Sequence, residues 1–347
     1  MAEAWWMPSR HHDRRPGLLA RNRVRSRLRD HFEGQGFTEV EAAALQGSPG
    51  NELHLHAFAS QIRTADGGAR PVYLHTSPEF ALKKLLAAGE RKIFDFARVF
   101  RNREAGRLHA SEFVMLEWYR VGEDYTALMM DCEAILRLAA EAAGAECLRH
   151  LDRVADPFAP AERISVAQAF DRYAGIDLMA TLTDDGLGIQ GRLVTAAERA
   201  GMRVAADDTW SDVFTRVMAE RIEPNLGNGR ATVLYAYPLP EAALAMRAAD
   251  DPRLALRFEL FACGVELANA FGELRDAGEQ RRRFTAAMTE KARLYDESYP
   301  IDEDFLAALA AMPEASGCAL GFDRLIMLLL GSPRIADVQW TPAQEPP

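Results

Sequence analysis

The sequence, 347 residues long, is poor in cysteine, in long apolar runs and in net positive charge. Its four cysteines, Cys132, Cys147, Cys263 and Cys318, form no CxxC pair, which excludes a disulfide framework and a cysteine zinc site and fits a reducing cytosol. No stretch free of Asp, Glu, Lys and Arg exceeds ten residues, whereas a membrane-spanning helix needs about 20 apolar ones. No membrane association is expected. Lys and Arg number 41 against 51 Asp and Glu, a formal net charge of −10. Chains that live by neutralising phosphates are more often basic, so nucleic acid, tRNA included, is disfavoured as a partner. The N-terminus, MAEAWWMPSRHHDRRPG, has arginines but lacks the apolar core of about 7 to 15 residues that a secretion signal carries, and a cytoplasmic location is expected. The P-loop ending GKS or GKT is missing.

What is present is an ordinary globular composition, 48% apolar and 27% charged, long enough for one large domain or two smaller ones. Residues 1–16 read as a flexible arm and 17–347 as the folded body. From Leu18 a helix is expected, with Leu18, Val24, Leu28 and Phe32 at helical spacing and Gly34 and Gly36 ending it. The arginines at 21, 23, 25, 27 and 29 read as a solvated face, or more sharply as an RNA-binding arm. Residues 53–62 alternate as a strand, and 65–71 form a turn into VYLHT. Ser77 is placed as a helix cap with Pro78 at the first helical position. KIFDFARVFRNR and EFVMLEWYRV make a hairpin around a polar loop. Residues 123–147 and 164–220 read as mostly helical, with an insertion around 180–210, and strands return at 231–237 and 257–268. Strands grouped without βαβ alternation predict an α+β fold with an antiparallel sheet.

Three segments place polar residues inside core-like patterns. The hairpin 93–119 carries Arg98, Arg101, Arg103, Arg107 and His109 around its loop, with Phe113, Glu117 and Tyr119 on the returning strand. Clustered guanidinium groups suit phosphate oxygens, and the ring of Phe113 suits a base; the plain alternative is a solvated hairpin. In RFELFACGVELANAFGEL, Glu259, Glu266 and Glu273 recur every seven residues among apolar neighbours. Carboxylates in such company need cations, which Mg²⁺, a substrate ammonium, or structural arginines such as Arg257 can supply. The third, GCALGFDR at 317–324, reads as a Gly-rich turn entering an apolar helix, with Arg324 needing an anionic partner.

In this order the segments FRNREAGRLHASEFVMLEWY, RFELFACGVELANAFGEL and GCALGFDRLIML resemble motifs 2 and 3 of class II aminoacyl-tRNA synthetases. HTSPEF, MLEWY, ELAN and GEL place the resemblance in the lysine branch, over residues 18–338. The catalytic-type sequence starts within about 20 residues of Met1, so the anticodon-binding domain of lysyl-tRNA synthetases, about 100 residues or more, is not expected here. With Ala319 where lysyl-tRNA synthetases usually have Gly, the chain is similar to the elongation factor P lysine ligases. The resemblance implies a class II catalytic fold, an antiparallel sheet flanked by helices, and a homodimer. It further implies ATP and Mg²⁺ as cofactors, lysine or (R)-β-lysine as substrate, and elongation factor P as protein acceptor.

Site roles follow from the same resemblance. Arg101 and Arg324 are the catalytic cations on the α-phosphate and outer phosphates. Asn102, Arg103, His109, Ala110, Phe113, Glu266, Leu267 and Gly321 complete the ATP site, and Glu259 and Glu266 are the metal ligands. Ser77, Pro78, Glu79, Glu117, Tyr119, Glu273 and Ala319 form the lysine site, and the methyl of Ala319 acts as a specificity device. Departures from the family pattern are Arg103 for Glu, Ala110-Ser111 for Asn-Pro, Ala42-Ala43 after Val40-Glu41, and Ala270 for Gly. The expected reaction is adenylation of the lysine carboxylate, then attack by an acceptor lysine ε-amine without a covalent enzyme intermediate. Alternatives are a compact tRNA-charging enzyme, another free-standing amino-acid ligase, and a non-catalytic regulatory paralogue.

Overall fold

A computed structural model describes residues 4–343. The strands are β1 (Thr38–Glu39), β2 (Leu45–Gln46), β3 (Phe58–Arg63), β4 (Ala69–Leu74), β5 (Lys92–Phe100), β6 (Glu112–Val121) and β7 (Leu148–His150), followed by β8 (Arg153–Asp156), β9 (Glu162–Ser165), β10 (Gly229–Arg230), β11 (Thr232–Pro238), β12 (Leu254–Ala262), β13 (Val265–Gly272) and β14 (Ala315–Gly321). The α-helices are α1 (Pro8–Gly34), α2 (Glu79–Ala87), α3 (Thr126–Ala143), α4 (Val166–Ala174), α5 (Gln190–Arg199), α6 (Trp210–Val217), α7 (Ala277–Tyr295), α8 (Glu303–Ala311) and α9 (Phe322–Leu329). The chain divides into two compact units. The first takes the residues up to Glu123, Leu138–Ala145 and those from Arg275 on; the second takes Asp124–Arg137 and Glu146–Leu274.

In the first unit β5, β6 and β14 are antiparallel neighbours, and β1 joins β5 in parallel. Behind them α1 buries Leu18, Val24, Leu28 and Phe32, the four residues picked out by helical spacing. The Phe32 ring stacks on Phe94 with centroids 4.9 Å apart and meets the edge of Phe37 at 5.0 Å. The helix begins at Pro8 rather than Leu18, so residues 8–16 of the expected arm are helical; the first three residues lie outside the described ones. Pro8 suits a first helical turn, and Arg14 ties these turns down through the carbonyls of Ala336, Asp337 and Gln339. The arginine row is not a free basic stripe. A step of two on a helix puts every second member on one face, and Arg21, Arg25 and Arg29 face inward. Arg21 pairs with Asp323, Arg25 lies 5.0 Å from the centre of the Phe96 ring, and Arg29 grips Glu39 at 2.7 and 2.8 Å.

In the second unit β11, β12 and β13 are antiparallel neighbours, while β9 runs parallel to β11. The single expected strand over 257–268 is a hairpin. Cys263 and Gly264 both have positive φ, 55° and 71°, as a tight two-residue turn between strands demands. A small sheet, β10-β8-β7, stands beside them. The helical region is capped as its sequence implies, with reciprocal Ser165/Gln168 and Thr209/Asp212 boxes opening α4 and α6. Phe170, Trp210 and Phe214 stack in its core at 5.1 and 5.3 Å, and Leu182, Leu193, Ala197 and Met202 of the supposed insertion belong to the same core.

Two further differences bear on function. The strand expected over 53–62 starts only at Phe58; residues 53–57 form a strap held by side chains of the first unit, apart from one bridge between His56 and Asn102. GCALG is strand β14, not a turn. Its Gly317, Ala319 and Gly321 pair with Tyr119, Glu117 and Met115 of β6, while Cys318 and Leu320 point the other way into the core. The small residues read as turn formers are the shallow face of a sheet. The sheets are thus mixed, with antiparallel pairing dominant.

Candidate active site

The period of two puts Phe113, Met115, Glu117 and Tyr119 on one face of β6. The glycines and alanine of β14 opposite leave room above them. Glu117 is 1% exposed. Its carboxylate receives the Ser77 hydroxyl at 2.8 Å and the Tyr119 hydroxyl at 2.6 Å. Ser77 precedes α2 by two residues; Pro78 takes the cap position, and the Ser77 oxygen accepts the Glu79 amide at 3.1 Å. Glu79 is paired with the buried Lys83 one turn on, at 2.5 Å. Burial, reinforced by the Glu79 charge, pushes the Glu117 carboxyl up to about 8, against the two hydroxyls and Lys83. This cluster contains two carboxylates and one internal cation, and Glu117 is held largely neutral at pH 7. Lys83 was absent from the sequence reading, although its spacing of four from Glu79 is the ordinary signature of a helical ion pair.

Farther along the same face, the Arg101 guanidinium sits 5.3 Å from the centre of the Phe113 ring and donates to the Thr76 carbonyl at 3.2 Å. Asn102 caps the next residue by accepting the Arg103 amide at 2.9 Å. Arg103 takes a positive φ of 62°. Arg324, on the first turn of α9, reaches the Leu108 carbonyl at 3.2 Å and His109 Nε2 at 2.9 Å. Desolvation, with Arg324 and Arg101 nearby, holds His109 below its usual range. A side chain at Gly321 would meet only Arg324, at 3.6 Å. Arg98 is instead spent on Glu112 at the surface, and Arg107 is exposed. Ala110 lies beside His109 in the loop.

The second unit holds the glutamates. Glu259 on β12 is buried and paired with Arg257 at 2.5 Å. Arg257 also donates to the Glu241 carbonyl at 2.5 Å and stacks 4.3 Å over Tyr237. Burial raises the Glu259 carboxyl, Arg257 opposes the rise, and the Glu266 charge adds to it. Glu266 pairs in register with Phe261 across the β12–β13 hairpin, and Leu267 beside it is buried. Glu273 is buried just past β13, in a bridge with Ala245. Glu259 and Glu266 are neighbouring carboxylates whose charges oppose each other, hard oxygen donors of the type that could hold a divalent cation. Among the described residues no group of three or more His, Cys, Asp or Glu forms a metal cluster, and none of their helices is long and apolar enough to cross a membrane. All four cysteines are free.

Comparison with known proteins follows the same lines. The family model for tRNA synthetases class II (D, K and N) matches residues 3–345. The elongation factor P–(R)-β-lysine ligase of Sodalis glossinidius is 38% identical over 325 residues, 92% of this chain and 93% of the relative. The proteins of the same name from Haemophilus ducreyi and Salmonella arizonae are each 36% identical, over 92% and 96% of both chains. The chain belongs to the class II tRNA synthetase family and, within it, to the family of the elongation factor P–(R)-β-lysine ligases.

Proposed function

We propose that the protein activates (R)-β-lysine, or lysine, with ATP and transfers it to the ε-amine of a lysine on elongation factor P. The observation that carries the substrate class is the buried cluster of Glu117, Glu79, Ser77 and Tyr119 on the face of β6 that also carries Phe113. Four residues of strand, at about 3.3 Å each, separate Glu117 from Phe113 by about 13 Å. A chain with an ammonium at one end and a carboxylate at the other fits that span, with the carboxylate presented to Arg101. Likeness to the named ligases over nearly the whole chain supports the acceptor.

In this reading Arg101 and Arg324 neutralise charge as the lysine carboxylate attacks the α-phosphorus and pyrophosphate leaves. Asn102, Arg103, His109, Ala110, Phe113, Leu267 and Gly321 surround the nucleotide. Glu259 and Glu266 would hold Mg²⁺, which supplies charge neutralisation on the phosphates. Ser77, Pro78, Glu79, Glu117, Tyr119 and Glu273 recognise the amines, and the Ala319 methyl, on the same face as Glu117, limits the room beside them. The neutral acceptor amine then attacks the activated carbonyl and AMP departs. The protein acts in the cytoplasm as a homodimer, without tRNA.

The test is pyrophosphate release from ATP and Mg²⁺ with lysine and with (R)-β-lysine, followed by mass measurement of elongation factor P and of tRNA after incubation. Release with one of the lysines and a mass gain on elongation factor P alone are expected. No release with either, or charging of tRNA instead, overturns the reading.

A further inference from the structure

The strap over 51–57 has no regular secondary structure, yet almost every residue in it is tied to the end of α7 and the turn after it. Lys291, with no exposed surface, donates to the carbonyls of Leu53 at 2.8 Å and Leu55 at 2.6 Å, with Glu52 at 3.4 Å. His54 Nδ1 meets the Tyr295 hydroxyl at 2.9 Å. His56 Nδ1 meets Glu297 at 2.5 Å, and the Ala57 amide donates to the Tyr299 hydroxyl at 2.7 Å. Tyr299 in turn donates to the other oxygen of Glu297 at 2.7 Å.

The far side of the strap holds the arginine hairpin. The Asn102 amide donates to the His56 carbonyl at 2.7 Å, directly after Arg101. The next side chain, Arg103, returns to the same carboxylate, 3.9 Å from Glu297, with its guanidinium 6.0 Å from the centre of the Tyr295 ring. Glu297 therefore gathers His56, Tyr299 and Arg103, of which only Arg103 belongs to the arginine hairpin. The positive-φ backbone at Arg103 is held on one side by the Asn102 side chain, which accepts the Arg103 amide, and the Arg103 guanidinium reaches toward Glu297.

We propose that Glu297 is a positioning residue for nucleotide binding: through His56 it fixes the backbone of Asn102, and with it the reach of Arg101, and it anchors the Arg103 side chain. The inference rests on the proposed function in assigning ATP to the hairpin. It adds that the turn after α7 is part of the machinery that shapes the phosphate site, although it touches no phosphate itself. Lys291 holds the strap from beneath, so the frame is built from one buried cation and one carboxylate.

Calorimetric titration with Mg²⁺·ATP reads this directly. Glu297→Gln and His56→Leu should each weaken Mg²⁺·ATP binding about tenfold, the size expected when a charge-assisted hydrogen bond is lost. His56→Gln, which keeps a donor toward Glu297, should retain most of the wild-type affinity. Affinity for the amino acid and the thermal midpoint should stay close to wild type in all three. Unchanged nucleotide affinity in Glu297→Gln and His56→Leu, or nucleotide and amino-acid affinities that fall together, would overturn the proposal. If the wild-type protein bound Mg²⁺·ATP but released no pyrophosphate with either lysine, the proposed function would fall while the titration still reported on Glu297.

Discussion

In the proposed lysine site, Glu117 makes binding of the amino acid a proton-linked event. Its carboxyl is raised to about 8 by burial and by the neighbouring Glu79 charge, so at pH 7 the free protein holds it protonated. An arriving ammonium favours the carboxylate, and binding must expel that proton. The cost at pH 7 is about one pKa unit, or about 1.4 kcal/mol and tenfold in affinity; at pH 6 it is about a hundredfold. Affinity should therefore rise close to tenfold per pH unit from 6 toward 8 and flatten above it. Calorimetry in buffers of different ionisation enthalpy should find net proton release, approaching one per site, at pH 7. Glu117→Gln removes the titrating group, so binding should be weaker by about 1.5 to 3 kcal/mol at high pH and nearly independent of pH. The same group affects stability in the opposite direction. Its folded pKa lies above the unfolded value, so the folded protein binds the extra proton between about 4.5 and 8 and stability falls as pH rises through that window. Wild-type affinity that is flat between pH 6 and 8, with no proton released, would refute the reasoning.

Other perturbations separate the remaining groups. Arg101→Ala should lower the rate of pyrophosphate release by about 100-fold or more while leaving the thermal midpoint nearly unchanged, because the side chain lends the fold one carbonyl hydrogen bond. Arg257→Ala leaves Glu259 buried without its cation and should destabilise the protein by about 3 kcal/mol, read by urea denaturation; an unchanged midpoint would remove Arg257 as the partner of Glu259. Ala319→Gly deletes the methyl opposite Glu117 and should shift the ratio of kcat/KM between lysine and (R)-β-lysine by about tenfold, within the 1 to 3 kcal/mol that one methyl against a pocket wall controls. An unchanged ratio in steady-state kinetics would mean that the methyl takes no part in discrimination.

The patterns carried by neighbouring residues were legible in the sequence. The buried stripe of α1, the β5–β6 hairpin and the common face of Phe113, Glu117 and Tyr119 follow from periods of 3.6 and two. The roles of Ser77, Arg101, Glu259 and Arg324 rest on the family resemblance. Boundaries were less legible where small residues have two uses. GCALG reads as a turn because glycine favours turns, but in β14 the same glycines keep a strand face shallow opposite Glu117. Conversely, Cys263 and Gly264 sit inside an apolar run, yet they form the turn that folds it into two strands.

Tertiary structure alone decided the partners and the charges. Arg21 meets Asp323 across 302 residues of chain, and His56 meets Glu297 across 241; no local periodicity encodes such pairings. The sequence by itself determined that carboxylates and arginines would be embedded in core-like strands. Only the fold determined that the Glu117 carboxyl is raised, that Glu259 is matched by Arg257, and that Arg21, Arg25 and Arg29 of α1 face inward. Burial and proximity set the free energy of a charge, and both are properties of the packed chain.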